Sequence, residues 1–80
     1  MEDVQTYYSN NVELRGTLWD IRFTFGELIE VTDDQTDVKQ LTVVYMSPQH
    51  AKKFAETLIN NIQKHEQLFG PIRISEEVKT

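Results

Sequence analysis

The strongest restriction on the fold comes from residues 47–69, which carry the start signal, the apolar stripe and the stop signal of one long helix. Ser47 is a favourable N-cap, and Pro48 suits the first helical position because its missing N–H is not needed there. Gly70 is typical of the residue that follows a helix, and Pro71 prevents the helix from continuing. We therefore predict a single helix over this segment.

The predicted helix is amphipathic. Its apolar residues recur three or four positions apart, and at about 100° per residue they fall in a stripe roughly 100° wide. Lysine, glutamate, asparagine and glutamine residues occupy the opposite side. The stripe contains Ala51, Phe54, Ala55, Leu58, Ile62, His65 and Phe69.

Three strands are predicted before the helix. Residues 17–26 alternate between apolar and polar types, which is typical of a half-buried strand, and their apolar members are Trp19, Ile21, Phe23 and Phe25. We expect Trp19 to belong to the core. Residues 6–15 alternate less strictly, and Gly16 favours a turn between the two. Residues 38–46 are rich in β-branched residues and form the third strand. This order predicts an α+β fold, a three-stranded antiparallel β-meander followed by one long C-terminal amphipathic helix (β-β-β-α).

The acidic segment at residues 27–37 allows two interpretations. It contains five acidic residues and no basic one, which favours a solvated acidic loop, and it lacks the glycine and terminal glutamate of an EF-hand calcium loop. Alternatively, its apolar residues continue the second strand past Gly26, with a bulge there, and residues 32–37 then make the loop.

Chain length and composition predict one domain over residues 1–80, with an ordered core at about 6–74 and frayed ends. A chain this short buries only about 60% of its unfolded surface. The absence of cysteine removes disulfides, thiolate catalysis and cysteine-based zinc sites. The acidic N-terminus and the lack of a long apolar run argue against a signal peptide or a membrane span, so we expect a cytoplasmic protein.

Helix length predicts self-association. About 22 residues give a helix of roughly 33 Å, whereas an eight-residue strand spans about 27 Å. One helix cannot cover three strands and also bury its own overhanging end, and Leu18, Val44 and Met46 add further apolar surface. Two-fold dimers are the commonest oligomers, so we expect a homodimer. The predicted interface consists of Phe54, Leu58, Ile62, His65 and Phe69.

No residue pattern indicates catalysis. The sequence has no Gly-x-Ser-x-Gly elbow, and no serine or threonine is paired with a histidine in a recognised arrangement. His50 and His65 are 15 positions apart, too far along one helix to share a metal ion. We therefore predict a protein that is not an enzyme and that uses no metal or cofactor.

The first turn of the helix is a candidate weak anion site. Free N–H groups at a helix N-terminus attract anions, and basic side chains lie beside them. Against this, Pro48 removes one donor and the cap occupies another, so solvated lysines are the competing interpretation. The candidate residues are Ser47, His50, Lys52 and Lys53.

These observations favour a non-enzymatic, homo-oligomeric protein-interaction or scaffold module that also meets an unidentified protein partner. The alternative is a nucleic-acid-associated regulator that contacts phosphate through Lys52, Lys53 and Lys64. The net charge of −5 disfavours this alternative, because nucleic-acid binding depends on neutralising phosphates.

Four segments resemble a family of small prokaryotic proteins of unknown function: Tyr8-Ser9-Asn10-Asn11, residues 19–26, Met46-Ser47-Pro48-Gln49-His50-Ala51-Lys52, and Glu66-x-x-Phe69-Gly70-Pro71-Ile72. The resemblance covers residues 8–72. It implies a bacterial or archaeal cytoplasmic protein, and it brings no established activity, cofactor or catalytic residue.

Overall fold

A computed structural model of the chain describes residues 3–74. Its three strands form one antiparallel sheet in the order β1-β2-β3, and the helix follows them. The predicted α+β order of a three-stranded meander and a C-terminal helix is confirmed. Frayed ends were predicted for both termini, and residues 1–2 and 75–80 of these termini lie outside the described residues. The elements are β1 (Asn11–Gly16), β2 (Ile21–Val31), β3 (Thr36–Met46) and α1 (Pro48–Phe69).

Both ends of α1 are capped by the residues that the sequence indicates. The Ser47 hydroxyl accepts a hydrogen bond from the His50 backbone N–H at 3.1 Å, which satisfies one free donor of the first turn. At the other end Gly70 has a φ of 96°, a left-handed conformation that glycine adopts without steric cost. Its N–H donates to the Glu66 carbonyl at 2.8 Å, so the helix ends on a hydrogen bond.

The turn between β1 and β2 differs from the prediction. The second strand begins at Ile21, and the Thr17 hydroxyl accepts hydrogen bonds from the backbone N–H groups of Trp19 and Asp20, both at 3.1 Å. A threonine side chain that captures nearby backbone donors favours a turn over a strand. Trp19 is therefore at the hairpin tip with 80% of its surface exposed, and the expectation that it belongs to the core is wrong.

Strand register decides which side chains share a face of the sheet. Residues directly opposite each other in an antiparallel pair lie on the same face. Phe23 in β2 lies opposite Leu14 in β1 and Val44 in β3, and Ile21 lies opposite Met46. These residues form the face toward α1, which we name the helix-side face. The other face, which carries Arg22 and its cross-strand partners, is the outer face.

The acidic segment at residues 27–37 is not one loop. β2 continues past Gly26 to Val31, with irregular pairing between Phe25 and Gly26 as the alternative interpretation expected. Only residues 32–35 connect the strands, and the Thr32 N–H donates to the Gln35 carbonyl at 2.7 Å. Pairing as strands satisfies the backbone groups of this segment, which a long loop would leave to solvent.

The core between sheet and helix is small. Among the described residues only Phe23 and Ala51 are buried apolar side chains, each 8% exposed. The Phe54 ring meets Phe23 edge-on, with centroids 6.0 Å apart and planes at 82°. Farther along α1 the stripe is uncovered, with Leu58 46% exposed and Phe69 75% exposed. The helix therefore packs on the sheet through its first turns.

Gly26 is expected to tolerate no side chain. A Cβ at this position would lie 2.7 Å from Val38 Cγ1 and 3.1 Å from the Lys39 carbonyl oxygen, and neither a β-branched side chain nor backbone can move aside cheaply. We expect Gly26→Ala to lower the free energy of unfolding by about 1–3 kcal/mol, measured by urea denaturation. Gly16→Ala is the matched control, because its Cβ would meet only Ile21 Cγ1 at 3.9 Å. Equal stability of the two variants would contradict the close approach at Gly26.

The helix cap gives a second prediction. Ser47→Ala removes the acceptor for the His50 N–H and should lower the free energy of unfolding by about 1 kcal/mol in the same measurement. Ser47→Asp keeps an acceptor and adds a negative charge at the helix N-terminus, so it should retain or exceed the original stability. An aspartate variant as unstable as the alanine variant would show that the cap contributes little.

Candidate functional site

An open apolar groove lies between α1 and the helix-side face. Its volume is about 390 Å³, and Lys52 at its edge is the charged residue of the lining. The groove lies beside the contact between Phe23 and Phe54, and its helix side is formed by the first three turns of α1. The lining residues are Leu14, Ile21, Phe23, Pro48, Ala51, Lys52, Phe54, Ala55 and Leu58.

The predicted interface residues continue from this groove along the helix. Phe54 and Leu58 line the groove itself, and Ile62 is exposed one turn farther on. His65 lies against Phe69 near the end of the helix, with ring centroids 4.8 Å apart. The structure therefore presents these five residues as one apolar strip that starts in the groove and ends in solvent.

The chain exposes more surface than a compact protein of its size. Its accessible surface is 7412 Å², whereas a folded monomer of 9.4 kDa is expected to expose about 5,000 Å². The radius of gyration is 15.1 Å, against about 12 Å for a compact domain of 80 residues.

The residues of the candidate anion site at the helix N-terminus are engaged in different ways. The Ser47 hydroxyl accepts the His50 N–H, so this donor is already satisfied. Lys52 lines the apolar groove, while the Lys53 ammonium lies 3.9 Å from a Glu56 carboxylate oxygen. Binding of an anion by this turn stays a prediction.

A second concave site, on the outer face, was missed by the sequence analysis. This cleft, which we name the arginine cleft, has a volume of about 330 Å³. The hairpin register places Arg22 opposite Arg15 on one side and opposite Tyr45 on the other. The sequence signal for this cleft is a pair of arginines on either side of a turn. They can be recognised as cross-strand neighbours only when the length of the turn is known. The cleft is lined by Arg15, Thr17, Asp20, Arg22 and Tyr45.

Hydrogen bonding in the arginine cleft is incomplete. Arg15 Nε donates to a Glu13 carboxylate oxygen at 2.8 Å. Arg22 Nε is buried and has no hydrogen-bond partner, and none of the ion pairs within residues 3–74 involves Arg22. Leaving a buried donor unpaired costs about 1–3 kcal/mol, and more when the group is charged. Like charges that lie directly opposite each other in a sheet are also destabilising.

No helix within residues 3–74 combines the length and the apolar character that crossing a membrane requires. Over the same residues, no three histidine, aspartate or glutamate side chains are grouped closely enough to hold a metal ion.

Comparison with known proteins places the chain in a family. Searches of the curated proteins and of the solved structures gave no match. A family model described as "Protein of unknown function (DUF3467)" matches residues 1–74, which is nearly the whole chain and includes all three strands and the helix. The chain therefore belongs to this family of proteins of unknown function.

Proposed function

We propose that the protein is a non-enzymatic, homodimeric interaction module in which a second copy covers the groove and the helix strip. The observation that carries the proposal is the exposed apolar surface. A chain of 80 residues leaves its groove open and most of its helix stripe in solvent, although it has no disulfide to replace the missing core. Contiguous apolar surface of this kind is typical of an interaction site.

A second copy fits this surface because the surface is self-complementary. The groove is a concave apolar feature, and the strip beyond Leu58 is a convex apolar feature on the same helix. In a two-fold dimer every contact occurs twice, because the same two surfaces meet once in each direction. The strip of each helix can then occupy the groove of the other chain, so both exposed features are covered at once.

The available area agrees with a stable dimer. The chain exposes about 2,400 Å² more than a compact monomer of its mass, whereas a standard interface takes about 800 Å² from each partner. Obligate homodimers bury about 2,000 Å² or more, and their interfaces are more apolar than those of transient complexes. Lys52 at the groove edge fits the charged rim of such an interface, because its alkyl stem can pack while its ammonium group stays in water.

The scaffold role would require a further protein partner. The exposed hairpin tip with Leu18 and Trp19 is held rigidly by the hydrogen bonds of Thr17, which lowers the entropic cost of using these side chains in a contact.

The alternative of nucleic-acid binding has less support. Lys52 lies at the apolar groove and Lys53 lies near Glu56, so neither is displayed as part of an uncompensated basic patch. A chain with a net charge of −5 also repels a polyanion at long range. An electrophoretic shift with DNA or RNA at low salt, lost in Lys52→Gln, Lys53→Gln and Lys64→Gln together, would restore this alternative.

The dimer predicts a clear mass difference between variants. We expect the unmodified chain to scatter light during size exclusion as a species of twice 9.4 kDa. Ile62→Asp places a charge in the middle of the proposed interface and should shift the mass to that of one chain. It should also lower the Tm and remove its dependence on protein concentration.

Gln63→Asp is the matched control, since it adds the same charge on the next residue, outside the apolar stripe, and should leave the dimer intact. A mass of 9.4 kDa for the unmodified chain at micromolar concentration would reject the proposal. Dissociation by both variants would show that added charge, rather than the interface, is responsible.

A further inference from the structure

We propose that the outer edge of β3, over residues 42–46, binds an extended basic segment of another protein, which adds a fourth strand to the sheet. This inference rests on the scaffold role proposed above, for which it names the surface and the chemistry of the partner, and it does not depend on the dimer. Addition of a strand to an exposed sheet edge is a recurring mode of peptide recognition, because backbone hydrogen bonds supply much of the affinity.

The outer edge of β3 has no neighbouring strand. The strand order is β1-β2-β3, and every second residue of such an edge strand directs its backbone N–H and C=O groups away from the sheet. Within residues 3–74, no hydrogen bond joins these outward groups to another segment. The side chains of Val43, Val44 and Tyr45 are exposed, so neither α1 nor a loop covers this part of the edge.

The edges of the sheet differ in how they are protected against pairing. Charged side chains and irregular pairing hinder the addition of a further strand. β1 carries Glu13 and Arg15, and the first half of β3 carries Asp37 and Lys39 beside two shifts of register. Residues 42–46 contain no charged residue, glycine or proline, and their pairing with β2 is regular. This window is therefore left open to another strand.

Charge determines which kind of segment fits the edge. Asp33, Asp34 and Asp37 lie in the turn before β3 and at its start, and the whole chain has a net charge of −5. A basic segment gains from this field, whereas a second copy, which carries the same net charge, does not. Antiparallel pairing is the slightly more stable arrangement, and it directs the C-terminal end of the bound segment toward these acidic residues. Val43 and Tyr45 favour β-branched side chains opposite them.

The test uses a fluorescently labelled peptide of five alternating threonine and valine residues followed by three lysines, added to the unmodified chain. We expect a saturable rise in fluorescence anisotropy. The same peptide with an N-methyl group on each of its five strand residues keeps its side chains and charge but cannot donate their backbone hydrogen bonds. It should therefore bind about tenfold more weakly or worse. A peptide with glutamates in place of the lysines should lose affinity to a similar extent, because its charge opposes that of the chain.

Amide hydrogen exchange of the ¹⁵N-labelled chain locates the bound peptide. The lysine peptide should slow exchange about tenfold or more at alternate residues within 42–46, because their outward N–H groups become paired. Exchange in β1 should stay unchanged.

Two variants of the chain give a matched pair. Val43→Lys adds a positive charge to the open window and should weaken binding of the lysine peptide about tenfold. Glu13→Gln changes the net charge by the same amount and should bind the peptide like the unmodified chain. Glu13 and Val43 both lie opposite Thr24, so the two substitutions share the outer face and differ in the edge that they alter.

Equal binding of the lysine peptide and its N-methylated form, or protection that falls outside β3, would overturn the proposal. Tighter binding of the glutamate peptide would overturn the choice of a basic segment. A mass above twice 9.4 kDa without peptide, reduced by Val43→Lys, would identify a second copy as the occupant and overturn the choice of another protein. The Ile62→Asp variant should bind the lysine peptide like the unmodified chain, so failure of the dimer and failure of strand addition are separate results.

Discussion

The contact between Phe23 and Phe54 is the interaction on which the rest of the structure depends. Phe23 is the buried residue at the centre of the sheet, and Phe54 meets it edge-on from the second turn of the helix. An edge-to-face pair of this kind adds about 0.5–1.5 kcal/mol to the gain from burial. Ala51, the other buried apolar residue among those described, lies in the first turn of the helix, so the helix packs on the sheet near its start. The open groove and the uncovered stripe follow from this single anchor.

The short chain explains why few other apolar side chains are buried beside the contact between Phe23 and Phe54. A domain of this size has little interior, and this chain contains no cysteine with which to supplement it. The apolar residues are present, but the helix and the three strands do not bring them together within one chain. Association of two copies would cover apolar groups that the single chain leaves exposed.

Local patterns predicted the elements well and the contacts poorly. The order β-β-β-α, the cap at Ser47 and the stop at Gly70 were readable because each depends on residues within a few positions of one another. Trp19 was assigned wrongly to the core, since alternation continued into a turn that the Thr17 hydroxyl stabilises. The arginine cleft was missed because Arg15 and Arg22 face each other only once the turn length sets the register.

The sequence by itself determined where the helix begins and ends, which of its residues are apolar, and the absence of disulfide cross-links. These properties follow from propensity, capping and composition, all of which act locally. The tertiary structure alone decided how much of the stripe the sheet covers and which strand residues share a face. It also decided that Arg22 Nε is buried without a partner. These properties depend on strand register and on where the helix contacts the sheet, and both are set by packing between residues far apart in the chain.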